Sequence, residues 1–194
     1  MENYCIKDSY VSRTEERFLS QKLEIAKDQN LTYRYAKKIA ENKGYKKIAD
    51  VGCGSGYLLL KYFREYDTVG YDLPGNISWL KEKYPDRKWV LSDLSVKPEE
   101  TPDLVICADV IEHVLEPNIF VNWIKNLGAK DFIFSTPQRD LLNPVKHPTN
   151  GPPANKYHIR EWNFWEFNAY LRRFFPLIED HYEKGIHQVL HATL

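Results

Sequence analysis

The stretch Ile48-Ala49-Asp50-Val51-Gly52-Cys53-Gly54-Ser55-Gly56-Tyr57-Leu58 is an apolar run that turns through three glycines straight into an apolar helical pattern. No other segment limits the fold so narrowly. Glycines at 52, 54 and 56 let a ligand approach a backbone that any Cβ would hold at a distance. The spacing is Gly-x-Gly-x-Gly, whereas a dinucleotide fingerprint needs Gly-x-Gly-x-x-Gly, and Tyr57 stands where that last glycine belongs. A nicotinamide cofactor is therefore disfavoured.

Short β-branched runs alternate with helical patterns along most of the chain, which predicts a parallel sheet. Strands are expected at 47–51, 68–71, 89–92, 104–108 and 132–135, each followed by a break containing Gly, Pro or Asp. Helices are expected at 14–29, 32–42 (with Thr32 as its cap), 57–65, 76–84, 118–127 and 161–174. Right-handed crossovers then give a three-layer αβα sandwich. Two further strands, around 176–182 and 186–193, lie too close in sequence to be anything but antiparallel to each other. Residues 137–160 are rich in proline, lack periodicity, and read as a loop of the kind that covers a substrate. The whole chain, 1–194, reads as a single domain, with 1–45 as an N-terminal helical segment whose Tyr4 and Tyr10 would fold over a bound ligand.

Acidic residues end successive strands. Asp72, followed by Leu73, stands twenty residues after Gly52, where a carboxylate can accept from both hydroxyls of a ribose. Asp93, followed by Leu94, ends the third strand, where a carboxylate can accept from an exocyclic adenine amine. Together with the glycine loop these acids outline one nucleoside site.

Over roughly residues 46–136 these motifs resemble the class I S-adenosylmethionine-dependent methyltransferases. The resemblance implies a Rossmann-like α/β fold, with a mostly parallel seven-stranded sheet and an antiparallel C-terminal strand. It also implies S-adenosylmethionine as cofactor. Asp50, Gly52, Gly54 and Gly56 would line its amino-acid end, Asp72 and Leu73 its ribose, Asp93 and Leu94 its adenine edge, and Ala108 and Asp109 its methionine amine.

Methyl transfer from a sulfonium needs little beyond a positioned acceptor and a base for its proton. Ala108-Asp109-Val110-Ile111-Glu112-His113-Val114 follows the fourth strand, and His113, aided by Glu112, is the expected base. The Asn/Asp-Pro-Pro-aromatic tetrapeptide of enzymes that methylate amines is absent here, so an oxygen is the expected acceptor. His158, Arg160 and Trp162 are expected to position a small polar or anionic molecule, since Arg139, Lys146, Lys156 and Arg160 make 138–160 locally cationic.

The Glu112-His113 pair and Ser135-Thr136-Pro137 are similar to small-molecule O-methylating enzymes that need no metal. A second resemblance is to the small-RNA 3′-terminal 2′-O-methyltransferases, in which a Glu-x-x-Glu-His run and a distal histidine grip a cation. If a metal binds in this chain, Asp109, Glu112, His113 and His158 are its expected ligands, provided 109–113 is helical and brings the first three onto one face. A non-catalytic module that senses the cofactor is the remaining alternative.

Composition narrows the partners. Lys and Arg number 27 against 27 Asp and Glu, so the formal charge is zero and nothing marks a polybasic nucleic-acid coat. Nucleic acid is thus an unlikely partner, an RNA end being the exception. No run is long and apolar enough to span a membrane, and Cys5, Cys53 and Cys107 form no C-x-x-C pair. These features are those of a cytoplasmic protein with reduced thiols.

Overall fold

The computed structural model describes Lys7 and residues 29–92, 101–142 and 151–194. Within them the chain runs α1 (Asn30–Lys43), β1 (Lys47–Val51), α2 (Tyr57–Phe63), β2 (Asp67–Asp72), α3 (Pro74–Lys83), β3 (Lys88–Leu91) and β4 (Leu104–Ala108). A 3₁₀ turn at Ile111–His113 precedes α4 (Pro117–Lys125) and β5 (Asp131–Pro137). A second 3₁₀ turn at Arg139–Leu141 is followed by α5 (Phe164–Leu171), β6 (Leu177–Lys184) and β7 (His187–Thr193).

All seven strands join one sheet in the order β3-β2-β1-β4-β5-β7-β6. The first five are mutually parallel, and β7 runs antiparallel between β5 and β6. The order reverses between β1 and β4, which opens a crevice at the carboxyl ends of both strands. The glycine loop and the Asp109–His113 segment leave the sheet at that crevice.

Strands β1, β4 and β5 are buried almost throughout, as expected of parallel strands covered on both faces. Their side chains alternate between two cores. Leu104, Ile106 and Ala108 of β4 pack with Tyr33, Ala36 and Ala40 of α1 and Leu58, Leu59 and Phe63 of α2. Val105 and Cys107 face the opposite layer, with Phe120, Val121 and Ile124 of α4 and Phe167, Tyr170 and Leu171 of α5. Both layers of the expected sandwich are therefore present. Edge strand β6 carries Glu179, Asp180, Glu183 and Lys184 and a register shift between Ile178 and Asp180, devices that discourage further pairing.

Local chemistry moves several boundaries. Helix α1 begins at Asn30 and buries Thr32 inside its first turn, so Thr32 is not the cap, and Gln29 precedes the helix without a side-chain cap bond. Helix α5 starts three residues later than its periodicity predicts, because Asn163 and Glu166 form a reciprocal capping box there. Glu161 and Trp162 are left outside the helix, and Trp162 bridges to Gln138. The expected cover at 137–160 is, at its described ends, part of the body. Pro137 belongs to β5, Gln138 and Arg139 are buried, and so are His158, Ile159 and Arg160. The predicted helix over 14–29 lies outside the described residues except for Gln29, as do Tyr4 and Tyr10.

Candidate active site

Three left-handed glycines shape the loop between β1 and α2: Gly52 (φ 77°), Gly54 (φ 55°) and Gly56 (φ 68°). A Cβ on Gly52 would meet Val110 Cγ2 at 2.3 Å, so this position is fixed by close packing as well as by dihedral angle. At Gly54 nothing lies within 4 Å of where a Cβ would stand, and the loop presents bare backbone to the crevice there.

Asp72 ties that loop to β2. Its Oδ2 accepts from the Gly54 N–H at 2.6 Å, while Oδ1 accepts from the Leu73 N–H at 2.7 Å and from Asn76 Nδ2 at 2.9 Å. These bonds use both lone-pair sites of Oδ1 and one of Oδ2, so Asp72 can take both ribose hydroxyls, as expected, only by giving up one of them. Leu73 follows at the crevice with its side chain exposed. Asp93 and Leu94 lie outside the described residues.

Asp50 is fully buried in β1 and accepts from Tyr33 Oη at 2.8 Å through Oδ2. Among the described residues nothing bonds its Oδ1. Burial pushes its carboxyl up to about 7; the Tyr33 hydrogen bond opposes that rise and the neighbouring Asp72 charge adds to it. A buried carboxylate oxygen with no donor suits an ammonium group, which would supply both charge and hydrogen bonds. The Ala108 carbonyl, at the end of β4, accepts from Gln29 Nε2 at 3.2 Å. These residues fit the amino-acid and ribose portions of S-adenosylmethionine.

On the acceptor side, Glu112 and His113 sit in the short 3₁₀ turn after β4. Glu112 is buried, and its Oε2 accepts from Thr136 Oγ1 at 3.1 Å. His113 donates from Nδ1 to the Tyr157 carbonyl at 2.6 Å, which leaves the lone pair of the neutral ring on Nε2. That nitrogen is 3.9 Å from Glu112 Oε1. His158 packs edge-on against His113, with ring centroids 4.8 Å apart. It donates from Nδ1 to Glu161 Oε1 at 2.5 Å, and Asn155 Nδ2 is 3.0 Å from its Nε2. One ligand atom from each of Glu112, His113 and His158 lies within 4.8 Å of the other two. Lys7 pairs its N–H with the Ile159 carbonyl, and Ile159 pairs its own N–H with the Glu112 carbonyl, so the His158 segment is held from both sides.

Asp109 is not part of that cluster. The expected helical register across 109–113 does not form, because Asp109 takes φ 54° and the 3₁₀ turn begins only at Ile111. Its carboxylate goes to Ser135 Oγ (2.8 Å) and lies beside His187 Nε2 (3.3 Å).

Two expected substrate residues face inward. Trp162 is fully buried against Phe167 and Tyr170, and Arg160 is buried and donates to the Leu115 carbonyl at 2.9 Å. Arg139 likewise spends its guanidinium on Glu166 and on the Glu161 carbonyl. The cationic surface expected at 138–160 thus loses both of its arginines. Residues that sequence reasoning missed are Glu161, the Tyr157 carbonyl and His187. Of these only Glu161 had a local signal, its i, i+3 spacing from His158.

A methyltransferase-domain family model matches residues 23–180. No curated protein matches the sequence. Solved structures with the same fold include a SAM-dependent methyltransferase from Aquifex aeolicus, at 16% identity and TM-score 0.66, covering 93% of this chain and 98% of that one. The methyltransferase domain of bacterial CtHen1 aligns at 19% identity and TM-score 0.62, over 84% of this chain and 97% of its own. Human N-acetylserotonin methyltransferase, solved with SAM, aligns at 15% identity and TM-score 0.64, over 93% of this chain and 56% of its own.

Proposed function

The chain belongs to the methyltransferase-domain family and uses S-adenosylmethionine, and from that premise we propose that it methylates an oxygen of a small polar molecule, with His113 as proton acceptor. The reading rests above all on the 2.6 Å bond from His113 Nδ1 to the Tyr157 carbonyl. That bond selects the tautomer whose Nε2 can take a proton, and Glu112 stands near enough to stabilise the imidazolium that results. Bound S-adenosylmethionine supplies a methyl group already activated on a sulfonium. The chain's own part is to hold the acceptor oxygen in line with that methyl, keep water out, and receive the hydroxyl proton on His113 Nε2.

The inward-facing Arg139 and Arg160 weaken the case for an anionic acceptor and equally for an RNA backbone, which needs a basic track. A neutral, hydroxylated small molecule suits the described residues better. The test is release of S-adenosylhomocysteine over a panel of phenols, catechols and polyols. His113→Ala should hold S-adenosylhomocysteine affinity within about twofold and cut turnover by about 10²–10⁴. Turnover unchanged by that substitution would end the role of His113.

One observation favours a second reading. Both imidazoles donate Nδ1–H to an oxygen, as metal-bound histidines do, and the Glu112 carboxylate stands beside them, although a metal would have to displace Asn155 Nδ2 from His158 Nε2. A divalent cation held by Glu112, His113 and His158 would bring the site nearer to the RNA-terminal ribose methyltransferases, although without Asp109 the expected set of four is incomplete. Elemental analysis decides between them: a stoichiometric cation removed by chelator together with activity would replace the metal-free reading.

A further inference from the structure

Residues 153–160 form neither helix nor strand, yet they carry the Tyr157 carbonyl that meets His113 and the His158 ring that packs on it. No ladder places the carbonyls of such a segment, so side chains and isolated backbone bonds must do so. Asn155 does the local part. Its carbonyl accepts from the His158 N–H at 3.1 Å, and its Oδ1 accepts from the Tyr157 N–H at 3.1 Å, which closes an Asx turn. With Oδ1 engaged in this way, the Asn155 amide meets His158 Nε2 through its N–H.

Lys7 does the distant part, from 148 residues away. Its Nζ donates to the Pro153 carbonyl at 2.7 Å and to the Asn155 carbonyl at 3.4 Å. Its backbone N–H donates to the Ile159 carbonyl at 2.8 Å. The side chain therefore grips the start of the turn, and the backbone of the same residue grips it just past Tyr157 and His158. Ile159 in turn donates its N–H to the Glu112 carbonyl at 2.9 Å, so Lys7, Ile159 and Glu112 lie side by side. Next to this ladder His113 Nδ1 meets the Tyr157 carbonyl at 2.6 Å. A charged donor holds a carbonyl more firmly than a neutral one, which suits Lys7 to pinning a turn without regular structure.

We propose that Lys7 is a positioning residue for methyl transfer: by pinning the 153–159 turn it holds the Tyr157 carbonyl on His113 Nδ1, which keeps the ring in the form whose Nε2 receives the hydroxyl proton. The proposal rests on the assignment of His113 as proton acceptor and deepens it by naming what keeps that ring in place. Lys7 acts through Tyr157 and exchanges no proton itself.

The test reads the ring and needs no acceptor. Long-range ¹H–¹⁵N spectra of histidine-labelled protein are recorded at about pH 8, where an ordinary imidazole is neutral. His113, assigned by the loss of its signal in His113→Ala, should be protonated on Nδ1 and bare on Nε2 in the wild type. Lys7→Met keeps the apolar stem and the backbone N–H but removes the charged donor. Its His113 ring should show both tautomers, with the Nδ1–H exchanging with water about tenfold faster. Lys7→Arg, which restores N–H donors for the two carbonyls, should return most of the wild-type spectrum. His191 is the control, because its bond to Asp131 lies near the start of β5, away from the crevice, and it should keep its signal in every variant. A His113 signal unchanged by Lys7→Met overturns the proposal. So does a change that His191 shares, since that marks general loosening of the fold. Affinity for S-adenosylhomocysteine within about twofold of wild type would show that Lys7→Met is folded; were that affinity lost, Lys7→Gln, which leaves one amide donor for the turn, supplies the same comparison. A ring indifferent to Lys7 leaves the turnover result for His113→Ala standing, whereas failure of that result leaves the effect of Lys7 on the ring, so the two claims fall separately.

Discussion

Replacing Asp72 by alanine should weaken the fold and the cofactor site by separable amounts. Its carboxylate accepts from the Gly54 N–H, the Leu73 N–H and Asn76 Nδ2 at 2.6, 2.7 and 2.9 Å. Hydrogen bonds to a charged partner contribute about 1.5–3 kcal/mol each when measured singly. They do not add here, because the truncated side chain leaves room for water to reach the orphaned donors, so a total stability loss of about 2–4 kcal/mol is expected. A ribose hydroxyl bonded to Oδ2 would contribute a further 1.5–3 kcal/mol or so to binding, which is about 10- to 150-fold in the dissociation constant of S-adenosylhomocysteine. Urea unfolding reads the first quantity and isothermal titration at a temperature where the variant stays folded reads the second. Asp72→Asn retains an acceptor oxygen and should lose less stability while still losing affinity. If Asp72→Ala unfolds more easily yet binds S-adenosylhomocysteine as tightly as wild type, the carboxylate serves only to tether the loop, and its assignment to the ribose is wrong.

Asp50 makes stability depend on pH in an unusual direction. Burial raises its folded carboxyl to about 7, so between the ordinary carboxylate range and about 7 the folded state holds a proton that the unfolded state has released, and stability falls as pH rises. Asp50→Asn removes this dependence: its unfolding free energy should gain on wild type from about pH 4 to about pH 7 and keep a constant lead above that, and parallel curves would contradict the assigned burial penalty. Gly70→Ala probes the packing behind the loop, since a Cβ on Gly70 would lie 2.5 Å from two ring carbons of the buried Trp89 and 2.8 Å from Cys53 Sγ. A loss of about 1–3 kcal/mol in urea unfolding is expected from such overpacking, and an unchanged midpoint would show that Trp89 moves aside at no cost.

The parts of this molecule legible in the sequence are those set by short-range rules. Gly52, Gly54 and Gly56 all take positive φ, the conformation for which glycine is used, and they stand where an apolar strand meets an apolar helix. Strand β4 could be read to the residue because both of its faces are covered and every position is apolar. The direction in which polar side chains turn was not legible. Arg160 ends a stretch rich in proline and histidine that reads as an exposed cover, and Trp162 stands just after it at the start of a predicted helix. Their burial follows from a carbonyl at Leu115 and from rings at Phe167 and Tyr170, partners that only the tertiary fold brings near. His187 follows a glycine turn in an ordinary hairpin, and nothing adjacent to it in sequence hints at Asp109.

The division of the acids between two stations has a cause in β5. Consecutive residues of a strand point to opposite faces, so Ser135 and Thr136 cannot serve the same neighbour. Ser135 Oγ bonds Asp109 and Thr136 Oγ1 bonds Glu112, which pulls the two carboxylates to opposite sides of the sheet's end. A helical turn across 109–113 would have placed both on one face, and the left-handed backbone at Asp109 is what prevents it. Asp tolerates that conformation better than most residues, so the substitution of Asp for Glu at this place is consistent with a role other than metal binding. The same two hydroxyls that break up the expected set of four leave the His113 ring 3.9 Å from one carboxylate and the His187 ring 3.3 Å from the other. On this geometry, the alternation of one strand sets two separate histidine–carboxylate pairs at the sheet's end, where a helical turn would have brought both acids to one face.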